Sequence, residues 1–393
     1  AMIKLCIATG HFYQPQETQI NFHIQNLFGG ATAILCENPF QDDPFDKPHM
    51  AWMPPKPANP SLSEKLSLLR QKVHNLRTYR TARVPHGAGR TTVETFLRDH
   101  QVDVVLGEFG NTSMRVAPVV HAMGIPMFSY FRGADASSQL QVPFRAAAYG
   151  RMMGQLDGVF AVAQFLLDEL AARGVKHPNS HVVPSGVNTD LFLPGDKRPT
   201  SFLAVGRFVE KKRPDITVTA FCKAAQDKPD ARLEMIGDGP MLEQCQALAK
   251  SHGMSDRVIF HGAKPHAFVR EKLAETEVFL QHSVVAKNKN TEGLPTAIQE
   301  AMSAGMMIIS TRHAGIPEAV TEGENGFLVD EHDAEGFLNC IRKALGSPDQ
   351  TPVIGARNRA KAQESYDNRK LIKKVEREIA AVVEARRTSA VTP

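Results

Sequence analysis

One phrase recurs along these 393 residues: a short aliphatic or β-branched run, then a loop, then a segment of helical periodicity. That alternation is the mark of a parallel sheet whose strands are joined by crossover helices. In the first half, strands are predicted at Met2–Ala8, Ala31–Glu37, Val102–Gly107, Pro126–Phe131, Gly158–Val162 and His181–Val183. The phrase starts again at Ser201, with strands at Phe202–Gly206, Arg232–Gly237, Val258–Gly262, Val278–His282, Met307–Ser310 and Gly326–Val329. Helices are predicted near 214–227, 240–252 and 295–304. Each half is complete by itself, and the chain is too long for one ordinary core. The fold class is therefore α/β, as two Rossmann-like parallel-sheet domains facing across a cleft.

Between the halves, Pro184, Pro194, Gly195 and Pro199 break the pattern over Pro184–Thr200, where a hinge is predicted. The expected division is 1–190, 191–365 and a closing helix, 366–393. A second break, Asn38–Pro60, holds seven prolines and is expected to be a long surface loop. Directly after it, Leu62, Leu66, Leu69, Val73 and Leu76 fall at spacings of three and four, one apolar helix stripe. Lys65, Arg70, Lys72, Arg77, Arg80, Arg83 and Arg90 accompany it, against Glu64 alone. Two readings stand at this point: a solvated basic helix, or a surface near 64–90 for peripheral contact with anionic lipid or a phosphate-bearing acceptor.

No stretch approaches the roughly 18 uninterrupted apolar residues of a membrane span. Ala1–Gly10 reads as a first strand rather than a signal peptide, so a cytoplasmic location is expected, with peripheral contact at the inner face of the membrane as the extension of the basic-helix reading. Cys6, Cys36, Cys222, Cys245 and Cys340 form no CxxC pair and are expected to be reduced, mostly buried thiols. The fifteen histidines show no helix-spaced pair with a third ligand, so no metal is expected; His11, His121, His282 and His313 read as cleft or core residues, with His282 also a candidate to touch a ligand. A net charge of +4 is too small by itself to argue for nucleic acid, and no such partner is expected. Asn111-Thr-Ser113 matches a glycosylation acceptor, a triplet too common to carry weight. The tail from Asn368 to Arg387 reads as a charged helix whose end, Thr388–Pro393, is expected to fray.

The sharpest motif is Glu292-Gly-Leu-Pro-Thr-Ala-Ile-Gln-Glu300, between a predicted strand and helix. Pro295 suits a first helical turn, which frees the amides of Gly293 and Leu294 to point toward an anion such as a diphosphate. Glu292 and Glu300 then flank that anion, and carboxylates accept well from hydroxyls of a ribose or a sugar ring. Either glutamate alone would read as an ordinary surface residue. Arg207 and Lys212 lie on the loop after the first strand of the second half, where open parallel sheets bind ligands and where both cations can neutralise a leaving diphosphate. An ordinary basic turn before Pro214 is the alternative. Gly237 and Gly239, in Ile236-Gly-Asp-Gly-Pro240, allow a close backbone approach, a weak signal by itself.

Together and in register, these residues resemble the retaining glycosyltransferases of family 4, which have the GT-B fold. The likeness runs from Phe202 to Leu345, takes in His313-Ala-Gly-Ile-Pro-Glu318 and Asn325-Gly-Phe-Leu-Val329, and extends to the interdomain segment Pro184–Phe192. Pro15-Gln-Glu-Thr18 and Phe131-Arg-Gly-Ala-Asp135 are similar to motifs of the exopolysaccharide-biosynthesis branch. The resemblance implies an N-terminal acceptor domain, a C-terminal nucleotide-sugar donor domain and a last helix that crosses back to the first. It implies that Arg207 and Lys212 bind the donor diphosphate and that Glu292, with the amides of Gly293 and Leu294 beside Pro295, holds the donor sugar. Glu300 would bind the ribose, Gly237 and Gly239 would line the nucleotide pocket, and the Gly262–Lys264 turn would lie near the base. Glu17 and Asp135 would face the cleft. Two departures stand out: Arg132 replaces the family's usual histidine, opening recognition of a carboxylated sugar or an anionic acceptor, and the glycine pair common in the first loop is missing.

The expected activity is retaining transfer from a nucleotide diphosphate sugar, with UDP favoured and GDP open, to a glycan or lipid-linked acceptor. No protein nucleophile is evident, so catalysis would rest on Arg207, Lys212, Glu292 and the helix amides, with no cofactor or metal. The competing readings are transfer to a small-molecule acceptor, a nucleotide-sugar epimerase or hydrolase, and a catalytically silent protein that only binds nucleotide sugar.

Overall fold

Strands with both faces buried need helices on both sides, and the chain supplies them. A computed structural model of the chain describes residues 2–38, 43–53 and 59–391. Their structure divides into two compact units, one made of the chain up to Val183 together with the stretch from Ile372 onward, the other of Pro184–Leu371.

The first unit is built on seven parallel strands: β1 (Leu5–Thr9), β2 (Thr32–Cys36), β3 (His49–Ala51), β4 (Val104–Glu108), β5 (Met127–Phe131), β6 (Gly158–Ala161) and β7 (Ser180–Val182). Their order is β3-β2-β1-β4-β5-β6-β7. Every residue of β1, β2, β4 and β5 is buried, which explains their unbroken apolar runs. The second unit repeats the design with β8 (Arg198–Val205), β9 (Arg232–Ile236), β10 (Val258–Phe260), β11 (Thr276–Leu280), β12 (Met307–Thr311) and β13 (Gly326–Val329), ordered β10-β9-β8-β11-β12-β13. Strand order therefore reverses between β1 and β4 in one unit and between β8 and β11 in the other. Outside the carboxyl ends of strands at such a switch point is where open α/β sheets bind ligands.

Two expectations are corrected. The proline-rich stretch holds a strand, β3, paired in parallel with β2, and it buries Trp52, so its described residues are not simply surface loop. Period-two patterning is unreadable over three residues flanked by prolines; residues 39–42 and 54–58 lie outside the described residues. The last helix, Asn368–Val391, runs past Thr388, where fraying was expected; residues 392 and 393 are not described. Ile372, Val375, Ile379 and Val383 form its buried stripe, and Glu376 accepts from the Phe28 amide at 2.7 Å. All five cysteines are free and buried.

The helix Leu62–Tyr79 starts at a capping box formed by Ser61 and Glu64. Its apolar stripe faces outward: Leu62 is 75% exposed, Leu66 50% and Leu69 57%, with Val73 and Leu76 also exposed. What it buries is Asn75, whose amide donates to the carbonyls of Ala82 and Val84. No helix among the described residues is long and apolar enough to cross a membrane.

Candidate active site

In the second unit, β8 runs into Gly206 and Arg207, and β9 into Gly237–Gly239. The two loops meet backbone to backbone: the Gly206 amide donates to Ile236 O and the Phe208 amide to Asp238 O, both at 2.9 Å. A Cβ on Gly237 would lie 1.9 Å from Gly206 O, and one on Gly239 2.6 Å from Phe208 O, so only glycine permits this approach. A recess of about 30 Å³, room for roughly one water, opens among Gly206, Arg207, Lys212, Ile236 and Gln281 at the β8/β11 switch.

Arg207 is exposed and makes no ion pair among the described residues. Lys212 Nζ lies 2.8 Å from Glu292 Oε1, and Lys211 Nζ lies 3.6 Å from Oε2. Burial would raise the Glu292 carboxyl, but the two lysines outweigh it and hold the group at about 2. The Glu292 amide donates to His313 Nε2 at 3.0 Å. His313 must then carry its proton on Nδ1, which meets a carboxylate oxygen of Glu331. Burial keeps this imidazole below its ordinary pKa despite Glu331, so a neutral histidine braces the Glu292 loop.

The next residues complete an anion-facing turn. Gly293 O accepts from the Gly315 amide at 2.8 Å, while the amides of Gly293 and Leu294 donate to no acceptor among the described residues. Pro295 is the cap of the helix Thr296–Ser303, one position ahead of the expected first turn, and its missing N–H costs nothing there either. Glu300 sits on that helix, half-buried and in no ion pair among the described residues; burial pushes its carboxyl up to about 7. Lys264 is exposed, with Nζ 5.4 Å from the Phe268 ring centroid, and Gly262 O accepts the Gly237 amide. His282 is buried edge-on to Phe337, and its Nε2 accepts from the His332 amide at 3.1 Å. Burial pulls its pKa down to about 4.

In the first unit the expected site residues are more enclosed. Arg132 directs Nε and Nη2 at one Glu108 oxygen, at 2.9 and 2.8 Å, and lies 4.4 Å from the Tyr130 ring centroid. His23 Nδ1 meets the other Glu108 oxygen at 2.5 Å. Burial would raise Glu108, yet Arg132 and His23 hold it at about 2. Asp135 is buried, and its carboxylate accepts from the amides of Gly110, Arg132 and Gly133 at 2.9–3.0 Å. The structure thus gives Asp135 a loop-organising set of bonds, and it gives Arg132 a carboxylate from its own chain. Glu17, ahead of the helix Thr18–Asn26, is half-buried, and burial together with the nearby Glu108 raises its carboxyl.

Two families match in tandem: residues 55–191 match Glycosyltransferase Family 4 and residues 193–363 match Glycosyl transferases group 1. The chain belongs to glycosyltransferase family 4. It is 26% identical over 295 residues to the putative colanic acid biosynthesis glycosyltransferase WcaL of Escherichia coli, covering 72% of this chain and 71% of that one. It is 27% identical to the amylovoran biosynthesis glycosyltransferase AmsK of Erwinia amylovora, over 60% of this chain and 59% of that protein. Among solved structures, HepE of Anabaena in complex with UDP superposes with a TM-score of 0.77 over 96% of this chain and all of that one; at 14% identity this likeness shows the fold, GT-B, alone.

In this glycosyltransferase, Arg207, Lys212, Gly237 and Gly239 gather with Glu292 at one edge of the second sheet. Lys211, His313 and Glu331, which hold Glu292 in place, were not assigned from the sequence; nor were Glu108 and His23 around Arg132. A common signal exists, since Glu108 ends β4 and Glu331 closely follows β13: acids at the carboxyl end of a buried strand.

Proposed function

We propose that this glycosyltransferase moves a hexose from a nucleotide diphosphate sugar, a UDP-sugar in the first instance, to a hydroxyl of a glycan or lipid-linked acceptor with retention of anomeric configuration. The observation that carries the reading is the Lys212–Glu292 pair beside the Gly293 and Leu294 amides and Arg207, which among the described residues have no acceptor and no ion-pair partner. Arg207 and Lys212 take the departing diphosphate, and Glu292, released from Lys212, accepts from donor-sugar hydroxyls. Glu300 takes the ribose, Gly237 and Gly239 line the nucleotide, and Lys264 lies by the base. The C1–O bond to the diphosphate breaks as a C1–O bond to the acceptor forms on the same face, and the acceptor proton passes to the departing diphosphate. Charge stabilisation by Arg207, Lys212 and the amides lowers the barrier without a resident metal in this scheme. UDP is favoured because the fold neighbour HepE was solved with it, and a polysaccharide-type acceptor because the similar proteins WcaL and AmsK are named for colanic acid and amylovoran biosynthesis. The outward leucines and basic flank of Leu62–Tyr79 support peripheral contact with the inner membrane face, which co-sedimentation with anionic vesicles checks.

The test is the unfolding midpoint with UDP, GDP, ADP or dTDP, without and with magnesium. A ligand at 100 times its Kd adds about 2.7 kcal/mol, so a UDP-selective, magnesium-independent rise is expected. No rise with any nucleotide sinks the proposal, and an inverted anomeric coupling in the product's proton NMR spectrum sinks retention.

A further inference from the structure

At the carboxyl edge of the first unit's sheet, two arginines face one carboxylate and a third stands beside them. Glu37 directly follows β2 and is buried. Arg115, on the helix Gly110–Ala122 that follows β4, pairs through Nη1 with Glu37 Oε2, and its side chain is 11% exposed. Arg83 approaches from outside, with Nη1 3.7 Å from Glu37 Oε1. Arg145 opens the helix Arg145–Met153 and places Nη1 3.8 Å from the sulfur of Met114, the neighbour of Arg115. It makes no ion pair among the described residues, and it is close enough, like Arg83, to work against the protonated form of Arg115. Arg115 Nε is buried with no acceptor among the described residues.

One buried carboxylate accounts for one guanidinium. Arg83, 62% exposed, and the half-buried Arg145 leave a local excess of two positive charges among the described residues, which an anion would offset. Guanidinium forks match phosphate oxygens, and a phosphate dianion matches the excess, where a carboxylate would leave one charge over. The neighbourhood points the same way: Arg151, on the Arg145 helix, donates to Thr78 O at the end of the helix whose leucines face outward.

We propose that Arg83, Arg115 and Arg145 form a phosphate subsite in the first unit that holds a phosphate ester of the acceptor. This rests on the transfer reaction proposed above and names the charged group of its acceptor. The phosphate comes either from a soluble ester or from a lipid headgroup, and the two share this chemistry.

The experiment uses the full chain with UDP present, so that phosphate does not compete for Arg207 and Lys212. Inorganic phosphate is titrated by calorimetry into the unaltered protein and into Arg83→Gln, Arg145→Gln and Arg90→Gln. Arg90 pairs with Glu94 and serves as the charge-matched control. Loss of a charge-assisted bond costs roughly tenfold in affinity, so Arg83→Gln and Arg145→Gln should each weaken binding about tenfold while Arg90→Gln should not. A parallel arm measures retention on phosphatidylcholine vesicles with and without phosphatidic acid. On the acidic vesicles, where Arg83 and Arg90 both belong to the basic flank, a larger loss of retention for Arg145→Gln than for Arg90→Gln supports the subsite with a lipid headgroup as its source. If neither probe is bound, or if both are bound equally by all three variants, the subsite is overturned. The UDP-dependent midpoint, read in the same samples, separates the two failures: an intact UDP response beside arginine-insensitive binding sinks only the subsite, and a lost UDP response sinks the donor assignment.

Discussion

The two sheets carry comparable ion pairs at their carboxyl ends, and the pairs are built for different work. Glu108 is fully buried, and Arg132 grips it with two nitrogens while His23 takes its second oxygen. Glu292 keeps 13% of its side chain exposed and is met by two lysines, at 2.8 and 3.6 Å, with 20% and 22% exposure. Both carboxyls are held at about 2. A planar fork over an aromatic ring fixes its partner, whereas an ammonium on a flexible stem can exchange one anion for another. The first pair is therefore built to hold and the second can exchange: in the transfer proposed above, a diphosphate claims Lys212 and leaves Glu292 to sugar hydroxyls. It also follows that the arginine in place of the family's usual histidine arrives with its own counter-ion.

The sharpest way to break this comparison is Glu108→Ala, which removes the carboxylate that Arg132 and His23 both face. A loss of about 3–5 kcal/mol in urea unfolding is expected, and replacing Glu108 and Arg132 by leucine and methionine should recover much of it. A loss below about 1 kcal/mol would mean that water already reaches the pair. In the second unit the order of effects reverses. Lys212→Ala should lower turnover about 10²-fold, as removal of a transition-state charge partner does, while stability changes little because Lys211 still faces Glu292. Unchanged transfer kinetics in both Lys212→Ala and Arg207→Ala would remove the diphosphate role from this loop.

Much of the architecture was legible, because buried parallel strands print as unbroken apolar runs: twelve predicted strands have counterparts among the thirteen of the described residues. β3 escaped because three residues between prolines carry no period. The glycine turn of the second unit was readable for a related reason: a turn that lets backbone touch backbone needs glycine at Gly237 and Gly239, and glycine is visible in a sequence. Long-range pairing is not. Nothing in the string brings Glu108 to Arg132, 24 residues on, or His313 to Glu292, 21 residues back, since each partner sits on a different loop whose meeting depends on strand order. The outward face of Leu62–Tyr79 was hidden too, because periodicity reports that a stripe exists and not which way it turns.

The smallest expected effect separates Glu300 from Glu292 by pH. Glu300 is raised from 4.5 to about 7 by burial, so the folded protein keeps a proton there that the unfolded chain has lost. Its stabilising contribution is complete below about 4.5 and disappears as pH rises through about 7. Glu292 runs the other way: its contribution is present above about 4.5 and is lost as pH falls toward 2. The two windows do not overlap, so one variant can isolate each. Glu300→Gln should remove a decline of about 1–2 kcal/mol in unfolding free energy between pH 4.5 and 7, the range left after allowing for partial solvent access. It should leave the acid limb below pH 4.5 unchanged. Parallel stability curves for Glu300→Gln and the unaltered chain across that interval would show Glu300 to be solvated and would leave Glu292 as the site's one strongly perturbed carboxylate.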